Sequence, residues 1–148
     1  MAKALTSVHG RKLGVGALGQ LTAQDVDITQ PCADATITVG AENTNVRAIT
    51  IQLKTADGKD INYVETVEII VFDSAAMTGF ASTGGSTGIA IGTDGALLAL
   101  VAKKVFLATS EADGDIDLTW TDTGTESVAL GVRLPSGRVV VTAAFANT

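Results

Sequence analysis

The residues best suited to chemistry in this chain are few. It has one histidine, His9, and one cysteine, Cys32. A Ser–His–Asp or Cys–His arrangement would have to use His9, which lies in a glycine-laced leader where no rigid scaffold holds it. A structural zinc site needs three or four His or Cys ligands, more than the chain has. Gly14-Val-Gly-Ala-Leu-Gly19 matches the G-x-G-x-x-G dinucleotide fingerprint. That motif works only between a buried strand and a helix N-terminus, and neither His9-Gly-Arg-Lys12 before it nor Gln20-Leu-Thr-Ala23 after it supplies one. Glu111, Asp113, Asp115 and Asp117 could offer oxygens to Ca²⁺, but the Gly and Glu spacing of an EF-hand loop is not met. Asp115 and Asp117 alternate with Ile116, Leu118 and Trp120, which predicts a solvated acidic rim on a strand. Glu65, Glu68 and Asp73 are placed to pair with Lys103 or Lys104 across strands, as in ordinary sheet electrostatics. No catalytic residue, metal site or cofactor is expected, and the chain does not read as an enzyme.

The elements that carry these residues read as β-structure throughout. Asp57-Gly58, Asp94-Gly95, Asp113-Gly114, Thr123-Gly124 and Ser136-Gly137 are tight-turn dipeptides, each supplying a residue free to take positive φ. Between them the apolar residues recur with a period of two: Ile49, Ile51, Leu53; Ile116, Leu118, Trp120; Val128, Leu130, Val132, Leu134; and Val139, Val141, Ala143, Phe145. Each row predicts one buried and one wetter strand face. Two segments are apolar on both sides, Val67 to Phe72 and Ala96 to Ala102. The first reads as a central strand. The second, short and directly after a turn, reads as a strand despite its helix-favouring Ala and Leu. Lys104 to Thr109 is expected to pair with Ile116 to Thr121. About seven short strands separated by turns describe a sandwich.

Two regions depart from this pattern. Residues 74–95 hold a Gly/Ser/Thr-rich stretch too long for a hairpin loop. Within it Met77 and Phe80 either fold back to cap the sandwich or stand as exposed anchors for a partner. Residues 1–44 are poor in large apolar side chains, and Gly10, Gly14, Gly16 and Gly19 fall close together. They read as an arm with short β segments, ordered by docking on something else, with the sandwich at 45–148.

Composition narrows the function classes. The chain has 148 residues, a net charge of −6, and only 18% charged residues, so it lacks the cationic footprint of a nucleic-acid binder. Its start has no run suited to a signal peptide, and no run approaches the roughly 20 apolar residues of a membrane span. The expectation is synthesis in a cytosol and no membrane partner. A surface so poor in charge suggests burial against a protein partner.

Two stretches carry a resemblance. Leu5-Thr-Ser-Val-His-Gly-Arg-Lys-Leu-Gly14 is similar to the S-x-H-G-R-x-x-G start of small virion proteins of tailed bacteriophages. Ile91-Gly-Thr-Asp-Gly95, Ser110-Glu-Ala-Asp-Gly-Asp-Ile-Asp-Leu-Thr119 and Val132-Arg-Leu-Pro-Ser-Gly-Arg-Val-Val-Val141 resemble the C-terminal half of the same group. The likeness covers residues 5–14 and about 90–146. It implies an Ig-like antiparallel β-sandwich with an extended N-terminal arm, displayed on a phage head as a decoration or capsid-associated protein. The partner so implied is the major capsid protein, with further copies of the chain as trimer or lattice neighbours. The site is then the virion surface, reached from the host cytoplasm. The arm's anchors would be Leu5, Val8, His9, Arg11, Leu13, Val15, Leu18 and Leu21, joined by Met77 and Phe80 of the long loop. Competing readings are another virion part, such as a head-fibre base or tail ornament, and an Ig-like module for cell-surface carbohydrate. The last suffers from having six aromatics in all, with Phe106, Trp120 and Phe145 on core rows.

Overall fold

The computed structural model describes residues 31–148 throughout and, within residues 1–30, three short strands, β1 (Leu13–Val15), β2 (Leu21–Ala23) and β3 (Val26–Asp27). These pair antiparallel in the order β1-β2-β3. They belong to a unit spanning Met1–Pro31, and Cys32–Thr148 forms a second unit.

The second unit is a β-sandwich, and its described residues contain no helix. Its strands are β4 (Cys32–Asn43), β5 (Val46–Thr55), β6 (Thr66–Phe72), β7 (Gly88–Ile91), β8 (Ala96–Val101), β9 (Val105–Thr109), β10 (Asp115–Thr121), β11 (Ala129–Arg133) and β12 (Val139–Val141). One sheet has the order β4-β5-β10-β7 and the other β12-β11-β6-β9-β8, with every neighbour antiparallel. The compact unit therefore opens with β4, ahead of the boundary at 44/45 drawn from composition. Strand β4 turns into β5 through Thr44 and Asn45, both at positive φ (52° and 65°). That is the geometry of a two-residue hairpin turn, made here without glycine.

The core forms where the inward rows of the two sheets meet. Ile49, Ile51 and Leu53 of β5 and Ile116, Leu118 and Trp120 of β10 face Val67, Ile69 and Val71 of β6 and Leu130 and Val132 of β11. Ile51 stands opposite Ile116, and Ile49 opposite Leu118. Strand β6 lies in the middle of its sheet, as its two-sided apolar pattern requires. One pairing and one apolar row differ from the sequence reading. Strands β9 and β10 do not pair; β9 sits between β6 and β8, while β10 sits between β5 and β7. The Asp113-Gly114 turn thus carries the chain across from one sheet to the other. The last apolar row also divides, with Val140 rather than Val139 or Val141 packing on the core.

The long Gly/Ser/Thr stretch is pinned by side chains of the sandwich. Trp120 is wholly buried, and its indole N–H donates to the Gly84 carbonyl (3.1 Å). Gly84 and Gly85 sit at φ 76° and 95°. A Cβ on Gly84 would come within 2.2 Å of the Lys103 carbonyl oxygen, so only glycine fits there. Glu126 accepts from the Thr83 hydroxyl and from the Thr83 and Gly85 N–H groups (2.8 and 3.0 Å). Burial raises the pKa of the Glu126 carboxyl, but these hydrogen bonds outweigh it and hold the group below the ordinary range. Asp122 accepts from Ser86 N–H (2.9 Å), and the Lys103 ammonium donates to the Ser86 carbonyl (2.6 Å).

The end of the sandwich is fastened by Asn147, which is 1% exposed. Its amide donates to the carbonyls of Asn45 (2.7 Å) and Asp122 (2.9 Å) and accepts from Arg47 Nε (3.0 Å). Arg47 also donates to the carbonyls of Gly40 and Ala146. Replacing Asn147 with Ala strands these groups out of reach of water. Asn147→Ala is expected to cost about 3 kcal/mol of unfolding free energy in urea titration, whereas Thr148→Ala, at an exposed position, should cost less than about 1 kcal/mol.

Candidate docking face

In a sandwich the outer faces of both sheets normally carry polar side chains, and one of these sheets conforms. Directly opposed residues share a face, which places Thr36, Thr38, Thr50, Gln52, Asp115, Asp117 and Thr119 together on the outside of the four-stranded sheet. The Thr50 hydroxyl donates to Asp117 Oδ1 (3.0 Å). This surface is built for water.

The five-stranded sheet is different. On β6 the outward residues are Glu68, Ile70 and Phe72. Ile70 stands opposite Gly131 on one side and Val105 on the other. Phe72 stands opposite Ala129 and, through an isolated bridge, Phe80. Leu107 is flanked by Glu68 and Leu98, Val105 by Val101, and Gly131 by Val141. One outer face thus carries Ile70, Phe72, Phe80, Leu98, Val101 and Leu107 as a continuous apolar field. Ion pairing and hydroxyl bonding mark its polar end, where Glu68 meets Arg133 (3.1 Å) and Thr66 meets Thr109 (3.1 Å).

Burial corroborates this field. Val105 and Ala129 are 7% and 0% exposed, yet neither belongs to the core between the sheets. Their neighbours on the outer face cover them. The Phe72 ring lies over Gly131, where an added Cβ would meet Cε2 at 2.5 Å. Phe80 remains 56% exposed and Leu98 63%. Apolar area of this kind gains roughly 25 cal/mol per Å² when a partner covers it.

Of the residues singled out from sequence, Met77 and Phe80 are both exposed, Met77 in a turn at φ 56°. Phe80 joins the apolar field, and its backbone is held by the neighbouring bonds of Asp73 to Gly79 and of Ala81 to Val71. Leu13 and Val15 lie in β1 and Leu21 in β2. Leu5, Val8, His9, Arg11 and Leu18 lie outside the described residues. Cys32 is buried, and burial foremost, with Glu65 adding to it, pushes its thiol up to about 11, which suppresses thiolate chemistry.

Carboxylates gather on the opposite, polar face. Oxygens of Asp94, Asp115 and Asp117 all lie within 4.8 Å of one another, the set among the described residues that is close enough to hold a cation. Glu111 and Asp113 instead hold turns, accepting from Gly95 N–H and Asp115 N–H respectively. Sequence spacing missed Asp94, which arrives from the end of β7. Asp115 Oδ1 is shielded from solvent and accepts no hydrogen bond. Burial first, and the Asp117 charge second, raise the Asp115 pKa above its ordinary value of 3.8. The folded chain therefore holds this proton more tightly than the unfolded chain. The group's contribution is fully favourable below pH 3.8 and is lost as pH rises through the folded pKa. Asp115→Asn should accordingly raise thermal stability at pH 7, by no more than about 1 kcal/mol because the residue as a whole is only half-buried, and the gain should vanish near pH 3. Melting curves at the two pH values check this.

Compared with known proteins, the chain matches no family model, no curated protein and no solved structure.

Proposed function

We propose that this chain is a structural, non-enzymatic protein that works by seating the outer face of its five-stranded sheet against a larger protein assembly. The observation that carries the reading is a sheet apolar on both sides: Val67, Ile69 and Val71 fill the core, while Ile70, Phe72, Phe80 and Leu98 face outward. A chain with so little charge would leave that face to water only at a cost, and aromatic anchors set in a firm framework are what protein interfaces use. The resemblance to tailed-phage head-decoration and capsid-associated proteins supplies the kind of assembly. On this reading the partner is the major capsid protein and the location is the outer surface of the virion. The arm residues Leu5, Val8, His9, Arg11, Leu13, Val15, Leu18 and Leu21 provide a second contact. A standard interface needs roughly 800 Å² per partner, and the two contacts together supply it better than either alone.

Binding to purified capsid shells lacking this protein tests the proposal. Phe80→Asp is expected to weaken binding at least about tenfold, the loss of one interface anchor. Thr50→Ala, on the polar face, should leave it unchanged. Removing residues 1–20 should lower occupancy as well. Full occupancy by both the Phe80→Asp and the shortened chain would defeat the reading.

A further inference from the structure

We propose that β8 of one copy pairs antiparallel with β8 of a second copy, joining two five-stranded sheets edge to edge about a twofold axis. The two lateral sides of the sandwich differ sharply. On the side of β4 and β12, Arg138 bonds the Ala33 carbonyl and pairs with Asp34 (3.2 Å), so that edge is guarded by charge. On the other side β8, among the described residues, pairs with β9 alone and ends its sheet. From Ala96 to Ala102 it has neither a charged residue nor proline, the usual devices that keep an edge from accepting a strand. Leu98, Leu100 and Val101 are 63%, 54% and 49% exposed along it, and Ile91 of the neighbouring β7 is 39% exposed.

Charge points to a second copy as the occupant. The β8 edge is acidic at its start, where Asp94 and Glu111 flank Gly95. It is basic at its end, where Lys104 closes the turn into β9 beside Lys103, whose ammonium bonds the Gly85 and Ser86 carbonyls. Antiparallel pairing of β8 with itself sets each acidic end beside the partner's basic end and brings the uncharged leucines together. A parallel arrangement would set like charges side by side. A chain of net charge −6 thereby meets its own copy at a segment free of repulsion. A single edge strand covers less than the ~800 Å² per partner of a standard interface. The pair is therefore a concentration-dependent dimer, with a dissociation constant on the order of micromolar or weaker. It also lays two apolar outer faces side by side, although it does not depend on what those faces meet.

Sedimentation of the full chain from about 1 µM to about 1 mM, a range that spans such affinities, tests the proposal. A monomer–dimer equilibrium is expected, weakened at least about tenfold by Leu98→Lys with Leu100→Lys and left intact by Phe80→Asp. The native thermal transition of each variant, both altered side chains being exposed, confirms that it is folded. A short bis-maleimide should link Leu98→Cys chains into dimers, since diagonal cross-strand neighbours stand roughly 7–8 Å apart. Thr50→Cys chains should stay single, and the buried Cys32 should not react. Amides of residues 96–101 should gain protection from hydrogen exchange as concentration rises. A single monomeric species over the whole range overturns the proposal. So does a dimer indifferent to the lysines, or β8 protection independent of concentration. Because capsid binding is read through Phe80→Asp, failure of either idea leaves the other standing.

Discussion

Trp120 occupies the place where the separate parts of the sandwich are tied together. Its indole lies at the end of the inward row of β10 and meets the Phe145 ring edge-on at 5.2 Å. Its N–H reaches the Gly84 carbonyl. The first contact draws the C-terminal segment over the core, and the second draws in the long glycine-rich connection. That connection then lies against Lys103 and runs from the Phe80 segment that borders β6. One buried aromatic residue thus links the core to the outer apolar field, through hydrogen bonds that fix direction and contacts that supply energy. Loops arranged this way have little freedom, so their exposed residues are presented rather than merely uncovered.

The two outer faces show what such a scaffold can support. One is threonine and carboxylate, hydrogen-bonded within itself, and there burial first and the neighbouring Asp117 charge second raise the pKa of Asp115. The other is aromatic and aliphatic, with the Glu68–Arg133 ion pair at one end. A sheet packed on both sides is ordinary where helices or a second sheet cover it. Here nothing in the described residues of the sandwich covers the outer side, and that asymmetry is what the proposed function rests on.

Much of this fold was legible from alternation alone. The rows at 49–53, 116–120 and 128–134 and the central position of 67–72 follow from period-two patterning, because a strand has only two faces. The remainder escaped for identifiable reasons. The Thr44-Asn45 turn contains no glycine, so β4 read as arm rather than as a sandwich strand. Strands adjacent in sequence usually pair, which made β9 and β10 look like a hairpin, although both already have two neighbours. The outer apolar field was half visible. Apolar residues on both sides of β6 could be read, but their alignment with Phe80, Leu98 and Leu107 depends on register between distant strands. Asp94 was invisible beside Asp115 for the same reason.

The hydrogen bond from Asn147 to the Asn45 carbonyl spans 102 residues. Arg47 likewise waits on residues 146 and 147 for two of its bonds. The hairpin at the front of the sandwich therefore stays partly unsatisfied until residues 146 and 147 are in place. Contacts of such sequence separation slow folding, since a large loop must close before it is rewarded. Until that amide docks, the carbonyls of Asn45 and Asp122 lack the donor that Asn147 supplies, so closing this end of the sandwich couples the first hairpin to a segment about a hundred residues away.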